Sequence, residues 1–199
     1  MPTDPKPADR SYLFVLSSAR TGGNAEALAR RAAAALPRAV PQTWLDLARL
    51  PLAPFEDIRH SVGVYPASEG HARTLFDATL AASDLVFVVP VYWYAVPTSA
   101  KLYLDHWSGW MRVEGADFRG RMAGKRFWAV TILSDRDLRQ AEPLLGTLKL
   151  TAEYLNATWS GSVVGFGNKP GDVLADHAAL ADADRLFGAG GDLASSFRP

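Results

Sequence analysis

Residues 84–107 read DLVFVVPVYWYAVPTSAKLYLDHW. The apolar run from Leu85 to Val89, closed by Pro90, is a strand expected to be covered on both faces. Pro97, Thr98 and Ser99 then open an amphipathic helix that runs through Trp107. Between them, where a parallel sheet presents its carboxyl ends, stand Tyr92, Trp93 and Tyr94. Three consecutive aromatic side chains project in different directions and cannot share one core. At least one is left for a partner, and a flat aromatic ligand is the leading candidate.

Outward from this stretch the chain alternates strand and helix. Strands are predicted at 12–16 (YLFVL), 42–46, 125–133 (KRFWAVTIL) and 158–165 (TWSGSVVG). Helices are predicted at 26–36, around Ala72, Leu75, Phe76, Thr79 and Leu80, at 142–155 and at 177–187. Five strands alternating with five helices give an α/β fold, a parallel sheet with helices on both faces. Ligands in such sheets bind beyond the carboxyl ends of the strands. The loops after the first, third and fourth strands are therefore the places to look.

Two connections are long, 47–70 and 108–124, and either covers a site, builds an interface or is a plain surface excursion. Residues 1–10 hold three prolines and no apolar stretch, so they are expected to be a disordered tail rather than a signal peptide. The domain is expected over 11–187, with 188–199 a flexible tail.

Composition narrows the function classes. The 199 residues suit one domain, with 48% apolar and 21% charged residues. Lys plus Arg and Asp plus Glu are 21 each, a balance that argues against nucleic-acid binding. There is no cysteine, so disulfides and thiolate metal sites are excluded. No apolar run approaches the roughly 20 residues of a membrane helix, and a soluble, cytoplasmic protein is expected. His60, His71, His106 and His177 are scattered without metal-site spacing, so no metal is expected.

The loop after the first strand, SSARTGGNAEALA at 17–29, carries hydroxyls, amides, two glycines and one arginine, with no carboxylate before Glu26. Gly22 and Gly23 let backbone N–H groups turn inward, and the helix start adds positive potential. It matches neither G-x-G-x-x-G nor the nucleotide P-loop. The composition suits a phosphomonoester held by neutral donors; a helix cap by Thr21 or Asn24 is the other reading. A helix terminus contributes roughly 0.3–2 kcal/mol. A micromolar ligand needs about 8 kcal/mol, so a large apolar contact must join it.

Together the two loops resemble the NAD(P)H-dependent FMN reductase family of flavodoxin-like proteins. SSARTGGN is similar to that family's phosphate loop, and PVYWYAVPTSAKLYLDHW to its flavin-ring loop. The resemblance implies a flavodoxin-like three-layer sandwich with strand order 2-1-3-4-5. It places Ser17, Ser18, Arg20, Thr21, Gly22, Gly23 and Asn24 around the FMN phosphate. Pro90, Val91, Tyr92, Trp93, Tyr94 and Ala95 would line the isoalloxazine ring, with Ser134, Asp135 and Arg136 near its pyrimidine end. Two departures stand out. Ala25 replaces a frequent hydroxyl residue, and LSDRD (133–137) lacks the glycines common there.

What the resemblance implies is an FMN-dependent enzyme passing hydride from NADPH or NADH to a quinone, flavin or similar small-molecule acceptor. No side-chain acid or base is required, so no catalytic residue is assigned. Arg112, Arg119 or Arg121 would select the phosphate of NADPH. A homodimer or homotetramer is implied, with Trp107, Trp110 and Met111 either in the core or at the subunit boundary. Lys101 and Asp105 are expected to pair along the helix. The alternatives are a flavodoxin-type electron carrier and a non-enzymatic module that binds FMN weakly or not at all.

Overall fold

The structure, a computed structural model, describes residues 10–188. Of the predicted tails at 1–10 and 188–199, all but Arg10 and Gly188 lie outside the described residues, and Gly188 ends the last helix. Five strands, β1 (Tyr12–Leu16), β2 (Gln42–Asp46), β3 (Asp84–Val88), β4 (Arg126–Leu133) and β5 (Thr158–Phe166), pair in parallel in the order β2-β1-β3-β4-β5. That is the expected order. The winding reverses between β1 and β3, which opens a crevice at their carboxyl ends beyond Leu16 and Val88.

Alternate residues of each strand serve opposite layers. Leu13, Val15, Leu85, Phe87, Phe127 and Ala129 face a core shared with α2 (Gly70–Ala81), α3 (Thr98–Trp110) and α5 (Glu142–Tyr154). Tyr12, Phe14, Val86, Val88, Trp128 and Val130 face a second core under α1 (Asn24–Ala35) and α6 (His177–Gly188). The near-continuous apolar strands are thus explained by cover on both sides.

One helix was not foreseen. α4 (Phe118–Met122) lies inside the 108–124 connection and buries Phe118 and Met122. Five residues are too few for a helical period to show in sequence. Trp107 and Trp110 are each 3% exposed and pack against Phe118, so the core reading holds for them and the subunit-boundary reading does not. Lys101 and Asp105 pair at 2.6 Å. The 47–69 segment is ordered against α3: His106 Nε2 meets the Ala53 carbonyl at 2.8 Å, and the Phe55 and Tyr65 rings stack.

At the amino end of the sheet Asp84 binds Arg10 Nη2 at 2.7 Å, Arg126 Nε at 3.0 Å and Trp128 Nε1 at 2.8 Å. Arg10, assigned to the tail by its sequence, is therefore buried. No helix among the described residues is long and apolar enough to cross a membrane.

Candidate functional site

The loop after β1 is pinned before it turns. Ser17 is buried, its Oγ donates to the Val88 carbonyl at 3.2 Å, and its own carbonyl accepts from Ser99 Oγ at 3.1 Å. Its side chain joins β1 to β3, and its backbone carbonyl joins the loop to α3. Ser18 Oγ accepts the Arg20 N–H at 3.0 Å, closing a tight turn. Gly22 has φ +68°, a conformation that strains any side chain, and Gly23 caps α1 with no side-chain hydrogen bond to the helix start.

Ser18, Arg20, Gly23, Asn24 and Ala25 line one side of a cleft of about 140 Å³. Pro90, Val91 and Tyr92 line another, and Ser134 stands at the end of β4. The expected loops after β1, β3 and β4 do meet. Thr21 is exposed and does not line the cleft. Beside the cleft, Glu26 Oε2 accepts the Gly22 N–H at 3.1 Å, while Oε1 accepts from Arg30 at 3.1 Å.

Asn24 acts differently from the sequence expectation for its side chain. Its Oδ1 accepts the Gly171 N–H at 2.9 Å and its Nδ2 donates to the Lys169 carbonyl at 2.9 Å. The partners belong to the segment after β5, where Gly167, Asn168 and Pro170 form a further wall. A Cβ on Gly167 would sit 2.6 Å from Asn24 Nδ2, so only glycine allows this approach. Arg20 Nη1 reaches the Asn168 carbonyl at 3.4 Å, and Asp172 accepts the N–H groups of Lys169 and Asn168, which hold its carboxyl below the usual carboxylate range. This wall escaped the sequence reading, although the NKPG turn directly after a predicted strand is a signal for it.

The aromatic loop is a strained turn. Tyr92 and Ala95 exchange N–H to carbonyl bonds at 3.2 and 3.1 Å. Trp93 and Tyr94 between them have φ +51° and +63°, the positive pair of primed turns that normally hold Asn or Gly. Trp93 is 92% exposed at the tip, and Tyr92 and Tyr94 are partly so. Ala95 is also exposed.

Asp135 and Arg136 do not line the cleft. Asp135 accepts from Gln140 Nε2 at 2.7 Å and from the Asp137 N–H at 2.9 Å. The Arg136 guanidinium lies 4.9 Å over the Phe166 ring. Arg112, Arg119 and Arg121 stand apart as well: Arg112 donates to the Ser108 carbonyl and Arg119 lies over Tyr154. Among the described residues no group of His, Asp and Glu side chains could hold a metal ion.

A second cleft of about 450 Å³ opens beside the first and shares Ser18 and Tyr92 with it. Its remaining walls are Ser17 and Ala19 of the loop after β1, the segment after β2, Leu47 to Leu52, and the start of α3.

The family described as having a flavodoxin-like fold matches residues 10–186. The chain belongs to that family. YwqN of Bacillus subtilis (strain 168), which carries the provisional name NAD(P)H-dependent FMN-containing oxidoreductase, is 30% identical over 169 residues, 84% of this chain and 91% of its own. The Trp repressor binding protein from Bacillus subtilis superimposes with a TM-score of 0.68 at 24% identity, over 88% of this chain and 96% of that one. An FMN-dependent NADH-azoreductase from Bacillus anthracis str. Ames Ancestor, solved in complex with FMN, gives a TM-score of 0.65 at 11% identity, over 92% and 100% of the two chains. At those identities the two structures speak for the shared flavodoxin-like fold.

Proposed function

We propose that the protein is an FMN-dependent NAD(P)H oxidoreductase that passes hydride to a small-molecule acceptor such as a quinone or a flavin. The observation that carries this reading is the joining of an uncapped, glycine-turned start of α1 to an aromatic turn across one cleft. The full-length similarity to YwqN supports it.

The residues fit FMN. The N–H groups at the start of α1 and Arg20 suit its phosphate, at a position where the Glu26 carboxylate already takes the Gly22 N–H. Pro90, Val91 and Tyr92 supply an apolar wall for a flat ring, and stacking on an aromatic contributes about 0.5–1.5 kcal/mol beyond area burial. Bound FMN supplies reversible two-electron chemistry. The chain's own groups bind, orient and shield: Ser17 fixes the loop, Asn24 holds the wall after β5, and the Tyr92–Ala95 turn fixes Tyr92 at the cleft. Over one turnover NAD(P)H, a proton and a quinone become NAD(P)+ and the hydroquinone.

A cytoplasmic homodimer or homotetramer fits the same reading, because Trp93 and Tyr94 lie exposed beside the cleft, where a second subunit would cover them. Purified protein tests the function directly. A yellow preparation holding one FMN per chain, bleached by NADPH or NADH in stopped flow, is expected. Bound flavin that neither nucleotide reduces would instead identify an electron carrier.

A further inference from the structure

A third cavity, of about 240 Å³, lies between the 55–68 segment, α2 and the last turns of α3, and shares no residue with the other two. Four rings follow one another along its wall. Tyr65 stacks on Phe55 at 6.1 Å, Phe55 meets His106 edge-on at 5.7 Å, and His106 lies 6.4 Å from the buried Trp110. This arc is fixed in place. The Tyr65 hydroxyl accepts the Ile58 N–H at 2.9 Å and donates to Asp57 at 3.1 Å, while His106 Nε2 donates to the Ala53 carbonyl. A Cβ on Gly109 would sit 2.8 Å from the Tyr65 ring, so a glycine is needed for the ring to come this close to α3.

Besides Tyr65 and His106, the polar residues of the wall are Glu56 and Ser68. Neither side chain has a hydrogen bond or an ion pair among the described residues. No Lys or Arg lines the cavity, and Arg59, close by in sequence, is paired with Asp57. Aromatic faces carry negative potential and Glu56 adds a full negative charge, so the wall attracts a cation and repels an anion. A primary ammonium brings three N–H donors that each need an acceptor on burial, whereas methyl groups on nitrogen need none. The volume is below the roughly 300–1,000 Å³ of drug-sized sites, which limits the occupant to a small molecule.

We propose that this cavity binds a small quaternary ammonium, its methyl groups against the aromatic arc and its charge balanced by Glu56. The Ser68 hydroxyl suits a hydroxyl on the same ligand, as in choline. Binding here requires no flavin and stands apart from the oxidoreductase reading.

The test titrates purified, isotope-labelled full-length protein at low salt with choline and with its uncharged isostere 3,3-dimethylbutan-1-ol, following amide signals by NMR. Choline is expected to shift the amides of Phe55, Glu56 and Gly109 and to bind at least about 10-fold tighter than the isostere. Glu56→Gln should weaken choline about 5-fold and leave the isostere unchanged. Phe55→Leu keeps the bulk but removes the π face, and should weaken choline about 3-fold. Equal affinity for the two probes, shifts confined to other surfaces, or no saturable shift with choline would overturn the proposal. So would variants that bind choline like the parent. If Phe55→Leu does not fold, the exposed Glu56 and the comparison of the two probes still decide it.

Discussion

Asn24 Oδ1 accepts the Gly171 N–H at 2.9 Å, a bond that ties the first turn of α1 to the segment following β5. With the Nδ2 bond to Lys169 it makes one buried carboxamide the hinge between two walls of the first cleft. Asn24→Ala would leave the Gly171 N–H unpaired, at a cost of about 1–3 kcal/mol. Chemical denaturation should show that loss, and FMN affinity should fall with it. Faster hydrogen exchange at Gly171 is the specific signature, and unchanged exchange there would remove the hinge role.

Glu26 and a phosphate would compete for the same N–H at Gly22. Glu26→Gln is expected to tighten FMN binding several-fold at low salt, with a smaller gain at high salt. The helix would lose about 0.3–1 kcal/mol of favourable charge–dipole interaction in the ligand-free protein. Arg20→Ala should act in the opposite sense, weakening FMN about 10-fold. Fluorescence titrations across a salt series separate the two effects.

Trp93 and Tyr94 hold positive φ with bulky side chains, at roughly 1 kcal/mol each. The double replacement Trp93→Asn, Tyr94→Gly matches the turn and should stabilise the ligand-free protein by about 1 kcal/mol. Little burial is lost, since Trp93 is 92% exposed. FMN affinity or acceptor turnover should drop, giving a variant more stable and less active. A thermal melt that does not rise would show the strain to be relieved elsewhere.

Asp84 carries the acid limit of stability. Burial disfavours its charge, but hydrogen bonds from Arg10 and Arg126 outweigh that and hold its carboxyl below the ordinary range. A carboxyl lowered in the folded state contributes stability that is full above its unfolded value of about 3.9 and is lost as pH falls through the folded value. Denaturation midpoints should therefore be insensitive to this group at neutral pH and fall in acid below about pH 4. Asp84→Asn leaves the buried Arg10 and the partly buried Arg126 without their counter-charge, costs about 3–5 kcal/mol, and removes this part of the acid transition.

Much of the fold was legible. Leu13 and Val15 against Tyr12 and Phe14 encode a strand with two buried faces, and each predicted strand lies within about one residue of its observed bounds. The loop after β1 was legible in its glycines, and the aromatic turn in its three successive rings. Asp135 and Arg136 were not, because Gln140 and Phe166 decide where they point. Trp107 looked equally suited to core or interface, since apolar periodicity marks a buried face without saying what buries it.

The sequence by itself determined the alternation of strand and helix, and with it the parallel sheet and the end of it at which a ligand would bind. These follow from short-range patterns, the period of apolar residues and the chemistry of turns. Only the tertiary structure decided how the loops divide the work. Ser17 is spent on Val88 and Asn24 on Gly171, partners 71 and 147 residues away, and no local pattern encodes a hydrogen bond of that span. It also decided that the aromatic loop of residues 84–107 faces two clefts rather than one, because Tyr92 stands where the segment after β2 and the loop after β1 converge.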